Sequence, residues 1–449
     1  MTQMARISTD KKSWRGLVAR VMMSHLCRSV FICAICVPFS AGCQQNKTAR
    51  EGGRAVEDYF NGDFSRAIQK LEPLSRKTDE NYVLNNLRLG SATLTAYELD
   101  ESEAAFLRAW EVINAGGVNS GGRAVAAVWI DEKLKIWKGE PYERAMASFY
   151  LGLVYMMRSD YNNARASFEN ALFKLRDYAD EKDEKKGYAE QESTFVLAHI
   201  MLGRCQLKLG REDLAQQAFD DARRLNPNLS RLADVSLHAQ SNVLLVVDFG
   251  YGPKKVTDYD GAIVGFAPTP QTAGRLPIPR VFVDQFEYRL DGIGEPTIDT
   301  VAMAQDRRWQ SIDTIRTVKT TVGTGLIAAG AGYGVYKGAK GDFELQDAAI
   351  VAGLIATGAL LKAGSQADVR QWEMAPRTVY VLPLKLSPGK HDVTVSFPDA
   401  GALQQSWRGL IVPEQGDVTY YYRMNRWWPG PFEWPPVPVQ IAAPAEGKQ

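Results

Sequence analysis

Two segments of this chain repeat one pattern of small and aromatic residues. Leu151-Gly152 is followed by Ala164, Phe168 and Ala171, and Leu202-Gly203 by Ala215, Phe219 and Ala222, with Pro227 beyond. In both, Gly to Ala is 12 residues, Ala to Phe is 4, and Phe to the second Ala is 3. A weaker copy, Leu89-Gly90 with Phe106 and Ala109, has Ser102 in place of the first Ala. Gly62-Asp63-Phe64 with Ala67 and Leu71 fits the second half of an earlier one. A recurring unit of this length predicts stacked helical hairpins, none of which can bury its apolar face alone. The small Gly152 and Ala164 let two helices approach closely. Phe168 and Ala171 share a helix face with Ala164 and fill the seam.

The spacing resembles the tetratricopeptide repeat, including the Pro after the second helix. Directly before the best copy stands Gly139-Glu140-Pro141-Tyr142-Glu143-Arg144, and far downstream stands Ala367-Asp368-Val369-Arg370-Gln371-Trp372. Together these resemble a family of bacterial tetratricopeptide lipoproteins that carry Gly-Glu-Pro-Tyr-Glu and Ala-Asp-x-Arg-x-Trp. The resemblance implies a C-terminal β part and no established enzymatic activity. Some members lie beside genes for lipoproteins that activate peptidoglycan synthases. Read from the residues alone, Glu140-Pro141 is a helix start, since Pro suits the first turn and acids suit the positive end.

Arrays of this kind bind partners on the face lined by the first helix of each pair. Those positions hold Leu84, Leu87, Met146, Phe149, Leu153, Met156, Leu197 and Ile200. The face is strongly apolar, and a large exposed apolar patch is costly for a monomer. Two readings are open: it receives a peptide or helix from a partner, or it is filled by the chain's own insertion or C-terminal half.

The N-terminus gives an address. Six basic residues precede the ten-residue apolar run Val30 to Phe39, which ends in Ser40-Ala41-Gly42-Cys43. This is the layout of a secretory signal, too short for the ~20 residues of a spanning helix. Ser-Ala-Gly-Cys resembles a lipobox, with Ser40 where Leu is usual, so Cys43 is the expected lipidation site and residues 44–52 a tether. Met22 or Met23 would give a signal of ordinary length and is the expected start. Gln44 after the Cys, by resemblance to sorting patterns, favours the outer membrane, facing the periplasm. The 53 basic and 52 acidic residues balance only because six bases and one acid precede Cys43; beyond it the net charge is −4. A chain so balanced is no basic nucleic-acid coat.

From Asn242 the pattern changes to strands. Val243–Phe249 is a buried run, Val281–Leu290 alternates, and Glu295-Pro296-Thr297 opens a helix. Thr378–Leu386, Pro388-Gly389 and His391–Phe397 read as a hairpin, with further strands at Ser406–Val412 and Asp417–Met424. Thr321–Gly341 and Ala348–Leu361 form a glycine-rich helical hairpin, either packed on the protein or inserted in a bilayer. Their charge-free runs fall short of the ~17 residues that spanning requires. The tail from Trp427 is rich in Trp and Pro and reads as an extended strap or a polyproline-like ligand.

The expected fold is α+β and multidomain. A signal covers residues 1–42, a tether 43–52, and a tetratricopeptide-like solenoid 53–240. A β-sandwich-like part, residues 241–300 and 366–426, is interrupted by the helical hairpin region 301–365 and followed by the tail 427–449. His199, His238 and His391 stand at no ligand spacing, and Cys205 has no motif around it. No GxGxxG or Gly-Lys-Ser/Thr order marks a nucleotide loop. Lys254-Lys255 after the Gly-Pro turn reads as exposed. No enzymatic activity, cofactor, metal or nucleic-acid partner is expected. The function expected is a membrane-anchored scaffold for an envelope protein partner in assembly or export. The alternative is a membrane-inserting, oligomerising protein that uses the glycine-rich hairpin.

Overall fold

The computed structural model describes residues 49–115, 136–176, 194–258, 263–269, 274–306, 369–424 and 430–436. Cys43, the tether to residue 48 and the glycine-rich hairpin lie outside the described residues. Residues 1–54 and 55–449 form separate compact units; the repeats and the strands belong to the second.

Helix α1 (residues 49–60) is followed by α2 (Phe64–Ser75), α3 (Tyr82–Thr95), α4 (Leu99–Asn114), α5 (Pro141–Met157), α6 (Tyr161–Arg176), α7 (Val196–Lys208), α8 (Glu212–Leu225) and the short α9 (Val235–Gln240). Helices α3/α4, α5/α6 and α7/α8 pair as tetratricopeptide-like hairpins. The recurring spacing in the chain is a close contact in space. A Cβ added at Gly90 would lie 2.9 Å from the Phe106 ring, at Gly152 2.7 Å from Phe168, and at Gly203 2.8 Å from Phe219. No Cβ fits at such distances, so the ring occupies the place a side chain would take. Ser102, the departure from Ala, is fully buried and donates its Oγ–H to the Gly90 carbonyl at 3.0 Å.

Strand β1 (Val243–Phe249) lies between β6 (Thr378–Leu384), antiparallel to it, and β9 (Val418–Met424), parallel to it. The second sheet runs β10 (Phe432–Glu433), β8 (Leu403–Val412), β7 (Gly389–Phe397), β4 (Arg280–Val283), β5 (Phe286–Tyr288). A separate pair, β2 (Lys254–Asp258) with β3 (Ile263–Ala267), and helix α10 (Thr300–Gln305) complete the described strands and α-helices.

Strand alternation sorts side chains into two cores. Leu244, Val246, Val379, Val381 and Tyr421 join the core of the helices. Val243, Leu245, Val247, Tyr380, Leu382, Tyr420 and Tyr422 join Val393, Val395, Phe397, Trp407 and Leu410 of the second sheet. The three-stranded sheet is therefore a middle layer, buried on both faces. This explains why β1 reads as an unbroken apolar run.

Four sequence expectations need correction here. Thr378–Leu386 and His391–Phe397 are not a hairpin: β6 pairs with β1, whereas β7 pairs with β4 and β8 in the other sheet. Val281–Leu290 is not one strand but the β4–β5 hairpin, turned at Asp284 and Gln285 with φ of 50° and 74°. Neither is glycine, so the turn left no strong signal. The helix expected at Pro296 starts at Thr300, because the Asp299 carboxylate caps it by accepting the Ala302 N–H at 2.9 Å. Lys255 is buried, its ammonium 2.6 Å from Glu140.

Candidate functional site

The face predicted to be a groove is not open. Leu84, Leu87, Met146, Phe149, Leu153, Met156, Leu197 and Ile200 are each 2% exposed or less. The neighbouring positions on the same helices show what covers them. Ser91 Oγ accepts the indole N–H of Trp372 at 3.1 Å. Arg88 forks onto Glu373, with its Nε and Nη2 at 3.0 and 2.6 Å from the carboxylate oxygens. Arg204 and Lys208 both reach Asp417, at 2.7 and 2.6 Å. The chain's own C-terminal part covers the face, which is the second of the two readings the sequence leaves open.

The two family-like motifs meet there. Gly139 takes φ of 81°, turning the chain into α5, with Pro141 in its first turn. Glu143 Oε2 accepts the Glu140 N–H at 2.7 Å, satisfying one of the free donors at the helix start. Its other oxygen accepts the N–H of Trp372 at 2.6 Å. Arg370 donates to the Glu80 carbonyl at 2.7 Å, and Gln371 Oε1 accepts the Lys255 N–H at 2.6 Å. The Glu143 carboxyl is fully buried, and that burial pushes its pKa up to about 7, with Lys255 opposing the shift. Glu143, Arg370, Gln371 and Trp372 thereby tie the segment before β6 to α5, to the turn before α3 and to β2.

A second buried polar cluster lies where the middle sheet meets the helices. Asp248 and Arg423 are register neighbours on β1 and β9, both 1% exposed or less. Tyr150 and Tyr421 donate their hydroxyls to Asp248 Oδ2, the latter at 2.7 Å. Tyr59 donates to or accepts from Thr95 at 3.1 Å beside them. Burial raises the Asp248 pKa to about 6 against the pull of Arg423 and the two hydroxyls. The guanidinium lies 6.0 Å from the Phe60 ring centroid and makes no hydrogen bond. A sealed cluster of this kind orders an interface; it offers no path to a substrate.

Among the described residues no group of three or more His, Cys, Asp and Glu side chains could hold a metal ion. His199 is packed in α7, and His238 Nε2 meets the Leu232 carbonyl at 2.8 Å. Burial holds His238 neutral, its pKa lowered to about 3. His391 pairs with Asp284 at 2.6 Å on the second sheet. Cys205 is a buried free thiol whose pKa burial raises, so it is no ready nucleophile. No described helix is long and apolar enough to cross a membrane.

Among the described residues a groove opens on the repeat helices. A groove of about 600 Å³ has α7 as its floor (His199, Leu202, Gln206) and α6 and α8 as its walls. Phe173 on one wall is 52% exposed and Leu214 on the other 46%. Both residues sit at outward positions of the second helices, where polar side chains are usual. That departure is the whole of the signal the sequence carries for the groove.

No family model matches this chain, and no curated protein matches it. Two crystal structures of MamA align with it at 16% identity and a TM-score of 0.29. One alignment covers 41% of this chain and 81% of that one, the other 42% and 79%.

Proposed function

We propose that this protein is a lipid-anchored scaffold of the bacterial envelope, tethered at Cys43 to the outer membrane and facing the periplasm. Its repeat helices hold a partner protein in place during envelope assembly or export, and it catalyses nothing itself. The signal-like run ending in Ser-Ala-Gly-Cys supports the tether. The glycine–phenylalanine seams support the scaffold.

The observation that carries the reading is the way the array is closed. Trp372, Glu373 and Asp417 pin its first helices from one side. The second helices α6 and α8 are left facing outward with two large apolar side chains exposed. A rigid helix pair that presents apolar side chains is suited to hold a protein. A site for chemistry would need a cleft with convergent titratable groups.

The test is affinity capture of the intact, cross-linked protein from solubilised envelope, alongside labelled-palmitate incorporation. One stoichiometric partner protein and label lost in Cys43→Ser are expected. Capture of nothing beyond an untagged control would sink the scaffold reading. Unchanged label in Cys43→Ser would sink the anchor.

A further inference from the structure

We infer that His391 is a pH-operated latch where the chain crosses between its two larger sheets. As an imidazolium it bridges the Asp284 carboxylate and the Ser387 carbonyl; on losing a proton to solvent it lets the carbonyl go and accepts the Ser387 hydroxyl. His391 Nδ1 lies 2.6 Å from Asp284 Oδ2. Its Nε2 lies 2.8 Å from the Ser387 carbonyl oxygen and 3.3 Å from Ser387 Oγ. A carboxylate and a carbonyl can only accept, so both ring nitrogens must carry a proton, and only the imidazolium has two. A neutral ring that keeps its Nδ1 proton for Asp284 turns a lone pair on the carbonyl. The Ser387 hydroxyl is near enough to give that lone pair a donor. The same three residue types make a nucleophile where the ring is neutral and faces the hydroxyl; here the nearer partner of Nε2 is the carbonyl.

The joined groups belong to different segments. Asp284 stands in the β4–β5 turn, and its other oxygen accepts the Asp392 N–H at 2.9 Å. Ser387 lies on the link from β6, in the middle sheet, to β7, in the second. The same link is held at Lys385, whose N–H donates to the Tyr288 hydroxyl of β5 at 3.1 Å. The β4–β5 hairpin therefore fastens the crossing at two points, one of them through His391. The charge that acts on the ring is that of Asp284. From β8 its register neighbour is Leu410. Asp392 turns its carboxylate to the Gly409 N–H, Arg408 pairs with Glu433, and Lys385 and Lys390 are exposed. Glu414 and Asp417 border a hollow with Ser387, and Asp417 is held by Arg204 and Lys208. Partial burial works against the charged ring, but the bonds to Asp284 and to the Ser387 carbonyl outweigh it and raise its pKa above 6.5. The Asp284 carboxyl is held below its usual 3.8 and keeps its charge through this range. A raised histidine value means a latch that is closed below pH 6.5 and opens as the pH climbs through that value.

The experiment is a pH titration of the full chain in detergent micelles with isotope-labelled histidine, read by ring-nitrogen NMR, with His391→Gln identifying the signal. The ring is expected to carry both protons up to a midpoint above pH 6.5 and to keep the Nδ1 proton beyond it. Asp284→Asn, which suits the positive φ, should lower the midpoint by about one unit or more. Ser387→Ala should raise it, because the neutral ring loses the hydroxyl it would accept from. Hydrogen exchange at the Lys385 and Asp392 amides, corrected for the intrinsic effect of pH, should quicken across the titration. The gain should be about tenfold for each unit by which the wild-type midpoint exceeds the free-histidine value. Amides of β1 should not follow. A midpoint at or below 6.5 overturns the latch, as does one that Asp284→Asn leaves in place. Exchange at both amides that ignores the titration overturns it too, since the ring then fastens nothing. Labelling of Ser387 by a fluorophosphonate would make the set a nucleophile in place of a latch. The wild-type titration and exchange profile stand without any variant. The latch works on the chain alone, so failure to capture a partner leaves it standing.

Discussion

The carboxylate of Glu143 accepts the backbone N–H of Trp372, 229 positions away in the chain, at 2.6 Å. One buried acid thus ties the start of α5 to the segment that enters β6. Its ionisation is linked to stability. In the folded chain burial keeps its proton on up to about pH 7, against the ordinary Glu value of 4.5. Between those values the folded state binds more protons than the unfolded one, so this group's contribution to stability falls as pH rises through that window. Asp248, raised to about 6, acts in the same direction. His238, lowered to about 3, acts in the opposite direction below pH 6.5, where the unfolded chain gains its proton and the folded one does not.

Glu143→Gln isolates the first effect because Gln does not titrate. The variant should be less stable by about 1–3 kcal/mol, since one buried N–H loses its acceptor. Relative to wild type it should also lose a slope of about 1.4 kcal/mol per pH unit over pH 5–7. Urea midpoints of both proteins at four pH values measure this. Parallel curves would show that Glu143 is ionised throughout.

Asp248 and Arg423 make a different kind of prediction. Both are buried, and Arg423 has no hydrogen bond. Removing one partner strands the other as an uncompensated buried charge, so Asp248→Leu or Arg423→Met alone should cost about 3–5 kcal/mol. The double variant should recover a large part of that loss, because the two charges leave together. Chemical denaturation of all four members of the cycle gives the coupling. Additive losses would mean that the two residues do not act as a pair.

The seam of each repeat can be tested in the same way. Gly152→Ala puts a Cβ 2.7 Å from the Phe168 ring, which cannot stay where it is. Overpacking of this kind costs about 1–3 kcal/mol. Phe168→Leu alone also destabilises, by opening a cavity. Combined, the two changes should be less harmful than their sum, because the smaller side chain makes room for the methyl. Thermal melts of the single and double variants decide it, and strict additivity would deny the contact.

These seams were legible in the sequence because hairpin contacts are local: sixteen residues separate Gly152 from Phe168, Gly90 from Phe106 and Gly203 from Phe219. Strands β1, β7, β8 and β9 were legible through apolar runs and alternation. Their pairing was not, because nothing near Thr378 says that its strand lies on β1 and not on β7. Which of the two readings of the apolar face holds was not legible, for the same reason. Leu87 and Phe149 carry the apolar pattern of a binding surface, and their cover comes from Trp372 and the middle sheet, far away in the chain. Lys255 differs from Lys254 only by the side of β2 it takes, and that side faces Glu140. The α6–α8 groove is lined by two exposed apolar residues, Phe173 and Leu214, whose spacing in sequence gives no sign that they border one groove.

Tyr97 supplies the last prediction. It follows α3 with φ of 61°, and its hydroxyl donates to the Tyr421 carbonyl at 2.7 Å while accepting the Tyr421 N–H at 3.0 Å. Strand β9 is the edge of the middle sheet. An edge strand with free backbone groups is a template for unwanted pairing. One side chain from the repeat half satisfies both groups of one residue on that edge. Tyr97→Phe keeps the ring packed against Trp407 and Trp434 but leaves the donor and the acceptor of Tyr421 unpaired. The expected loss is about 1–3 kcal/mol, with faster hydrogen exchange at the Tyr421 amide and little change at the amides of β7. If exchange at Tyr421 is unchanged in Tyr97→Phe, the hydroxyl does not close the edge.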